Sequence, residues 1–100
     1  MNEQINVNHR LVALCESKNL VYFAKRLRDR DEVGRARYGT SLMTHNGRSA
    51  ALDAEEELLD LMQYTYQCAL ECDPESVKRI LRFTRTFVSL IESEVPDAKE

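Results

Sequence analysis

Apolar residues recur along most of the chain at the three- and four-residue spacing of an amphipathic helix. The first such stretch covers residues 7–38, and Lys18 and Asn19 either break it into two helices or lie within a single one. Gly39 follows directly, and a glycine in that place is typical of a helix that ends in the left-handed conformation. The pattern therefore predicts one or two helices here.

Two further helices are predicted in the second half of the chain. Residues 49–72 combine strong helix formers with acidic side chains in the first turns, where negative charge favours the helix dipole. Asp73 and Pro74 then supply an acidic N-cap and a proline at the first helical position, which start a helix over residues 74–94. Its core stripe keeps the seven-residue rhythm of a bundle or coiled-coil seam, at Val77, Leu81, Thr84, Val88, Ile91 and Val95.

The fold class that follows is an all-α helical bundle, in a single domain over residues 1–100. Halves of a 100-residue chain would be too small to bury a core without disulfides or metals. No stretch alternates β-branched and polar residues for long enough to predict a strand. In the helix at 49–72 the apolar positions cover more than one face, so we expect oligomerisation to complete the bundle.

Charge is distributed unevenly between the two halves of the chain. Residues 1–50 contain 9 Lys and Arg against 5 Asp and Glu, a net charge of +4, and residues 51–100 contain 5 against 12, a net charge of -7. The sum of -3 argues against DNA binding, which favours a strongly basic domain. A basic half and an acidic half instead suit pairing within the chain or between subunits.

The cysteines and the N-terminus indicate the compartment. Cys15, Cys68 and Cys72 have neither C-x-x-C spacing nor histidines placed to complete a zinc site, so we expect reduced thiols. The N-terminus lacks a signal-peptide pattern, and no apolar run approaches the roughly 18 residues that span a bilayer. We therefore expect a cytoplasmic protein without a membrane partner.

Four carboxylates share one stripe of the helix predicted at 49–72. At about 100° per residue, Asp53, Glu56, Glu57 and Asp60 fall within about a quarter of the helix circumference. Carboxylates this close repel one another unless arginines or a divalent metal offset the charge, and Mg²⁺ is held by one or two carboxylates together with substrate phosphates. An acidic first turn also arises for dipole reasons alone, with nearby arginines as partners.

The preceding helix adds two carboxylates. Asp29 and Glu32 are three residues apart and lie about 60° from each other around the helix. If the two helices pack antiparallel, Asp29 and Glu32 would face Glu57 and Asp60 around one metal-sized space. This spacing predicts a four-carboxylate metal site.

The loop over residues 40–48 leads into the acidic helix and contains candidate phosphate-binding groups. Arg48 is able to grip a phosphate in a bidentate manner, His45 is able to hydrogen-bond it, and Asn46 lies between them. A plain turn at Asn46-Gly47 with a solvated arginine is the alternative interpretation of the same residues. These residues therefore predict a phosphate-binding loop, with the plain turn kept open.

The acidic residues also resemble a known signature. The DRDE sequence from Asp29 to Glu32, followed by Glu57-Leu58-Leu59-Asp60, resembles the split acidic pattern of the MazG-like all-α nucleotide pyrophosphohydrolases, in which Glu-Glu-x-x-Glu precedes Glu-x-x-Asp. Arg28 stands where that family has its first glutamate. The segments ARYGTSL, HNGR and LDAEEELLDLMQY additionally look like small phage and prophage proteins of nucleotide metabolism.

The resemblance implies an enzyme that uses Mg²⁺ or Mn²⁺ to cleave a nucleoside triphosphate to the monophosphate and pyrophosphate. It further implies a multimer with sites between helices and, for a phage-encoded protein, action in the host cytoplasm. The resemblance implies Asp29, Glu32, Glu57 and Asp60 as metal ligands. Together with Glu56 from the acidic stripe, the candidate catalytic residues are Glu56, Glu57 and Asp60.

Three other functions remain open at this point. Arg28 in place of an acid suggests a non-catalytic protein that binds a nucleotide to sequester or sense it. A structural helical partner would use its acidic stripe to pair with a basic surface, such as the face of Lys78, Arg79, Arg82 and Arg85. The chain has no Walker loop, so a phosphotransferase would have to work without a P-loop.

Overall fold

A computed structural model describes residues 3–99 of the chain, and its regular structure is helical. The elements are α1 (Val7–Ser17), α2 (Val21–Tyr38), α3 (Ala50–Leu70), α4 (Pro74–Glu94) and a final 3-10 turn (Pro96–Lys99). Residues 3–99 contain no strand, only an isolated antiparallel bridge between Asn6 and Met43, so the all-α prediction is confirmed. None of the helices within this range combines the length and apolarity needed to cross a membrane.

The chain breaks between α1 and α2, so the first stretch forms two helices. Asn19 has a φ of 60°, in the left-handed region that asparagine tolerates better than most residues. The amides of Lys18 and Leu20 both donate to the Cys15 carbonyl, at 3.1 and 2.8 Å, and the Asn19 amide donates to the Glu16 carbonyl at 3.1 Å, so two carbonyl groups at the end of α1 are satisfied. Local hydrogen bonding therefore reverses the chain within three residues.

Short-range signals set the other helix ends. Gly39 follows α2 with a φ of 79°, as predicted from its place in the sequence. The Asp73 carboxylate accepts a hydrogen bond from the Ser76 amide at 3.1 Å, and Pro74 occupies the first turn of α4. Ser49 caps α3 by accepting from the Leu52 amide at 3.2 Å.

Replacing Ser49 by alanine is expected to lower the free energy of unfolding by about 1 kcal/mol, because an amide at the start of α3 loses its acceptor. Chemical denaturation of the wild type and the variant measures the difference. Ser89→Ala is the matched control, since Ser89 is exposed in the interior of α4, where alanine is the better helix former. Equal stability of Ser49→Ala and Ser89→Ala would contradict the role assigned to the cap.

Contacts within the chain divide it into two compact units, Met1–Arg48 and Ser49–Glu100. The first unit contains α1, α2 and the loop that follows, and the second contains α3, α4 and the 3-10 turn. Each unit is thus built on a pair of helices consecutive in the sequence. The prediction of one domain over residues 1–100 stays a prediction.

In the first unit α1 packs on α2 through small and medium-sized side chains. Val12 and Cys15 of α1 and Ala24 of α2 are buried, and burial raises the pKa of the Cys15 thiol. At the edge of this contact, Arg28 forms an ion pair with Glu16 at 2.6 Å. The helices are therefore joined by an apolar contact and by a charge pair at its edge.

The loop after α2 is attached to the N-terminal segment of the same unit. The Val7 amide donates to the Leu42 carbonyl and the Thr44 amide to the Ile5 carbonyl, both at 2.9 Å. The Ile5 amide in turn donates to the Thr44 hydroxyl at 2.8 Å. These bonds pair residues about 40 positions apart and hold the middle of the loop against the start of α1.

In the second unit most large apolar side chains remain exposed. No residue of α3 is buried, although more than half of its 21 residues are apolar, and Leu90 is the buried residue of α4. The broad apolar arc predicted for this helix is therefore present and faces solvent in the described chain. The oligomer that would cover this arc stays a prediction.

Candidate functional site

The predicted carboxylate stripe lies in the first half of α3. Glu56, Glu57 and Asp60 are exposed, and Asp53 is half-buried in the first turn. Among the residues that the structure describes, Glu56, Glu57 and Asp60 have no cation within salt-bridge distance and no hydrogen-bond donor on their side chains. Like charges on neighbouring turns of a helix are unfavourable, and no cation within the described part of the chain offsets the charge of these three carboxylates.

The two carboxylates predicted on the preceding helix differ in their surroundings. Asp29 is paired with Lys25, whose Nζ lies 3.2 Å from Oδ2, and both side chains are more than half exposed. An exposed pair of this kind contributes little to stability and opens readily for another ligand. Glu32 is exposed and unpaired within the described part of the chain.

The predicted four-carboxylate metal site stays a prediction, because its two pairs of carboxylates belong to different units. Asp29 and Glu32 belong to the first unit, and Glu57 and Asp60 belong to the second. No three His, Cys, Asp or Glu side chains come together as metal ligands within residues 3–99. Glu57 and Asp60 nevertheless fit Mg²⁺ in chemistry, because they are exposed oxygen donors one helical turn apart on the same face.

A carboxylate that the sequence analysis did not single out, Asp31, is the most enclosed acid of α2. Its side chain is only 7% exposed, and Oδ2 accepts from the Arg35 Nε at 2.9 Å. A hydrogen bond from Ser41, followed by the hydrogen bond and charge of Arg35, lowers the pKa of Asp31 despite its burial. The i, i+4 spacing of Asp31 and Arg35 was visible in the sequence, but the contact with Ser41 was not.

Replacing Asp31 by asparagine is expected to destabilise the first unit at neutral pH. Because the folded carboxyl has a pKa below its ordinary value of 3.8, its stabilising effect is present above that value and disappears as the pH falls through the folded pKa. The difference in unfolding free energy between wild type and Asp31→Asn should therefore shrink below a pH of about 4. Denaturant titrations between pH 7 and 2.5 measure it, with Glu32→Gln as the control that should show no such difference.

The three predicted phosphate-binding residues lie next to one another at the end of the loop. His45 is exposed with a φ of 54°, and its carbonyl accepts from the Gln4 side chain at 3.1 Å. The Asn46 Oδ1 accepts from the Arg48 amide at 2.9 Å, which forms a local turn through Gly47. Asn46 therefore forms the plain turn of the alternative interpretation. The side chains of His45 and Arg48 are exposed.

An open apolar groove of about 400 Å³ runs between α3 and α4 inside the second unit. Its walls include Leu58, Met62 and Tyr66 from α3 and Ile80 and Leu81 from α4. No charged side chain lines it, so the groove is unsuited to a triphosphate and suited to an apolar surface. The carboxylate stripe and the groove are therefore chemically distinct parts of α3.

In comparisons with known proteins, no family model, no curated protein and no solved structure matches the chain.

Proposed function

We propose that this chain is a Mg²⁺-dependent nucleoside triphosphate pyrophosphohydrolase-like protein that converts an NTP or dNTP to the monophosphate and pyrophosphate. The observation that supports the proposal is the exposed stripe of Glu56, Glu57 and Asp60, whose charge no cation of the described residues offsets. Because such crowding costs stability, it favours binding of an external cation. The MazG-like resemblance assigns two of these residues, Glu57 and Asp60, to the metal site.

Each residue of the stripe has a role in this proposal. Glu57 and Asp60 would hold the metal ion, which would supply positive charge at the phosphate oxygens. Glu56 accepts a proton from the attacking water, and Arg48 orients a phosphate of the substrate. Mn²⁺ is accepted in place of Mg²⁺ because both ions prefer oxygen ligands. The participation of Asp29 and Glu32 as ligands, and of His45 and Asn46 beside the phosphate, remains part of the same prediction.

The reaction is a hydrolysis at the α-phosphorus of the substrate. The water oxygen forms a bond to this phosphorus, and the bond to the oxygen that bridges the α- and β-phosphates breaks. Pyrophosphate leaves with the bonding electron pair, and the proton of the water passes to the general base. A cytoplasmic location suits the proposal, since both the substrate and reduced cysteines belong there.

The test is turnover of a panel of nucleoside and deoxynucleoside triphosphates by the full chain, with Mg²⁺, with Mn²⁺ and with EDTA. We expect monophosphate and pyrophosphate in equal amounts, detected by phosphorus NMR, and no product with EDTA. A diphosphate product would instead indicate a phosphotransferase. The absence of turnover with every substrate and metal would contradict the enzyme proposal.

A non-catalytic nucleotide-binding protein is the second candidate, and the ion pair of Arg28 favours it. Arg28 occupies the place of an acid in the resembled signature, and here its guanidinium is bound to Glu16 of α1 at 2.6 Å. The position therefore joins two helices and supplies no metal ligand. Calorimetry that shows binding of a nucleotide with Mg²⁺, by a sample that has no turnover, would support this candidate.

A further inference from the structure

The positive charges of α2 divide into two groups, according to whether a carboxylate lies beside them. Three cations of this helix form ion pairs at 2.6 to 3.2 Å, namely Lys25 with Asp29, Arg28 with Glu16 and Arg35 with Asp31. The other arginines of α2 have no carboxylate within salt-bridge distance among the described residues. These are Arg26, Arg30 and Arg37, and we call them the arginine stripe.

The arginine stripe runs straight along the face of α2 that is turned away from α1. At about 100° per residue, its three members fall within about 40° of one another. Ala24, which is buried in the contact with α1, lies about 120° to 160° from each of them around the helix. All three arginines are exposed, and the first and last are about 16 Å apart along the helix axis. The stripe is therefore a line of positive charge that no neighbouring carboxylate offsets.

A tyrosine lies beside the arginine at each end of the stripe. The Arg26 Nη1 donates to the Tyr22 hydroxyl at 3.0 Å, and its Cζ lies 5.8 Å from the centre of the Tyr22 ring. The Cζ of Arg37 lies 5.3 Å from the centre of the Tyr38 ring. The two tyrosines are 42% and 71% exposed. Each is thus an accessible aromatic ring next to a positive charge, a combination on which unpaired nucleic-acid bases stack.

The first unit by itself is basic. Met1–Arg48 contains 9 Lys and Arg against 5 Asp and Glu, a net charge of +4. The expectation against DNA binding rested on the charge summed over the whole chain, in which the acidic second unit outweighs the first. Positive charge clustered along one helix of a basic unit is typical of a surface that contacts nucleic-acid phosphates.

We propose that the arginine stripe and its two tyrosines bind single-stranded nucleic acid. The guanidinium groups donate hydrogen bonds to phosphates, and unpaired bases stack on Tyr22 and Tyr38. The tyrosines favour this partner over other polyanions, since an acidic protein has no bases and a duplex keeps its bases stacked on one another. An anionic membrane fits less well, because a helix that binds one inserts several large apolar side chains. This surface belongs to the first unit and does not depend on the carboxylates of α3.

Fluorescence anisotropy of labelled oligothymidylate and oligouridylate, each of about 12 nucleotides, tests the proposal with the full chain. EDTA is present throughout, so the proposed metal-dependent activity plays no part. We expect the logarithm of the association constant to fall with the logarithm of the salt concentration at a slope of about -2, since three phosphate contacts contribute about -0.7 each. The strand that binds more tightly identifies RNA or DNA as the ligand.

Arg30→Gln should weaken binding by about 5- to 10-fold at about 50 mM salt and change the slope to about -1.4. Arg30 makes no ion pair or side-chain hydrogen bond with a described residue, so the fold should be retained, and circular dichroism verifies this. Arg28→Gln is the matched control, because it removes the same charge from the same helix about 160° away from Arg30. Since Glu16 already pairs with Arg28, we expect this variant to weaken binding by less than about 2-fold.

Tyr38→Leu distinguishes a nucleic acid from other anions. Leucine removes the aromatic ring and no charge, so we expect binding of the single strands to weaken by at least about 5-fold with the salt slope unchanged. Duplex DNA, polyglutamate and phosphatidylserine vesicles are the comparison ligands, and each should bind more weakly than the single strands. The proposal would be overturned by a wild type that binds neither strand at about 100 µM protein, or by equal losses in Arg30→Gln and Arg28→Gln. Unchanged affinity in Tyr38→Leu, or tighter binding of any comparison ligand, would overturn it as well.

Discussion

Replacing Glu57 by glutamine is expected to lower the metal-dependent turnover of nucleoside triphosphates by at least about 100-fold. Glutamine keeps the size of the side chain and removes the negative charge that holds a cation. Glu57 is exposed and makes no ion pair with a described residue, so its replacement removes no stabilising contact and should raise the stability of the fold slightly by relieving repulsion within the stripe. Initial rates at saturating Mg²⁺, together with thermal unfolding, measure the two effects separately.

Glu55→Gln is the matched control for this experiment. Glu55 is exposed on the same turns of α3 but lies about 200° around the helix from Asp53, outside the carboxylate stripe. Its replacement removes the same charge from the same region and should reduce turnover by less than about 3-fold, the size of a general electrostatic effect. Equal losses in Glu55→Gln and Glu57→Gln would contradict a specific role of the stripe.

Replacing Ala24 by leucine is expected to lower the free energy of unfolding by about 1–3 kcal/mol. Ala24 is 1% exposed in the contact between α1 and α2, and Cys15 across from it is equally buried. Three additional carbon atoms at this point must push the helices apart or force strained rotamers. Denaturant unfolding monitored by circular dichroism gives the difference.

Ala36→Leu is the control for the packing argument. Ala36 lies on the same helix and is exposed, so leucine there changes neither packing nor, appreciably, helix propensity. We expect a change within about 0.5 kcal/mol. If Ala24→Leu were as stable as Ala36→Leu, the close contact between α1 and α2 would be contradicted.

The candidate site illustrates what spacing along a helix is able to predict. Glu57 and Asp60 had to share a face once residues 49–72 were helical, because three residues span less than one turn. Whether Asp29 and Glu32 lie near Glu57 and Asp60 depends on how the helices pack. The spacing of residues within one helix does not determine that packing. The surroundings of Asp31 were not predictable for the same reason, since its hydrogen bond from Ser41 joins α2 to the following loop.

The helix ends were determined by the sequence itself. Gly39 takes up the left-handed conformation, and Asp73 and Pro74 start α4, because caps depend on residues within one helical turn. Tertiary structure alone decided which apolar residues are buried. Cys15 and Ala24 are enclosed where two helices meet, whereas the equally apolar strip of α3 stays exposed, because burial requires a partner surface that periodicity does not identify. Residues 42–44 likewise pair with the N-terminal segment through hydrogen bonds that span about 40 positions, and only the folded chain brings those groups together.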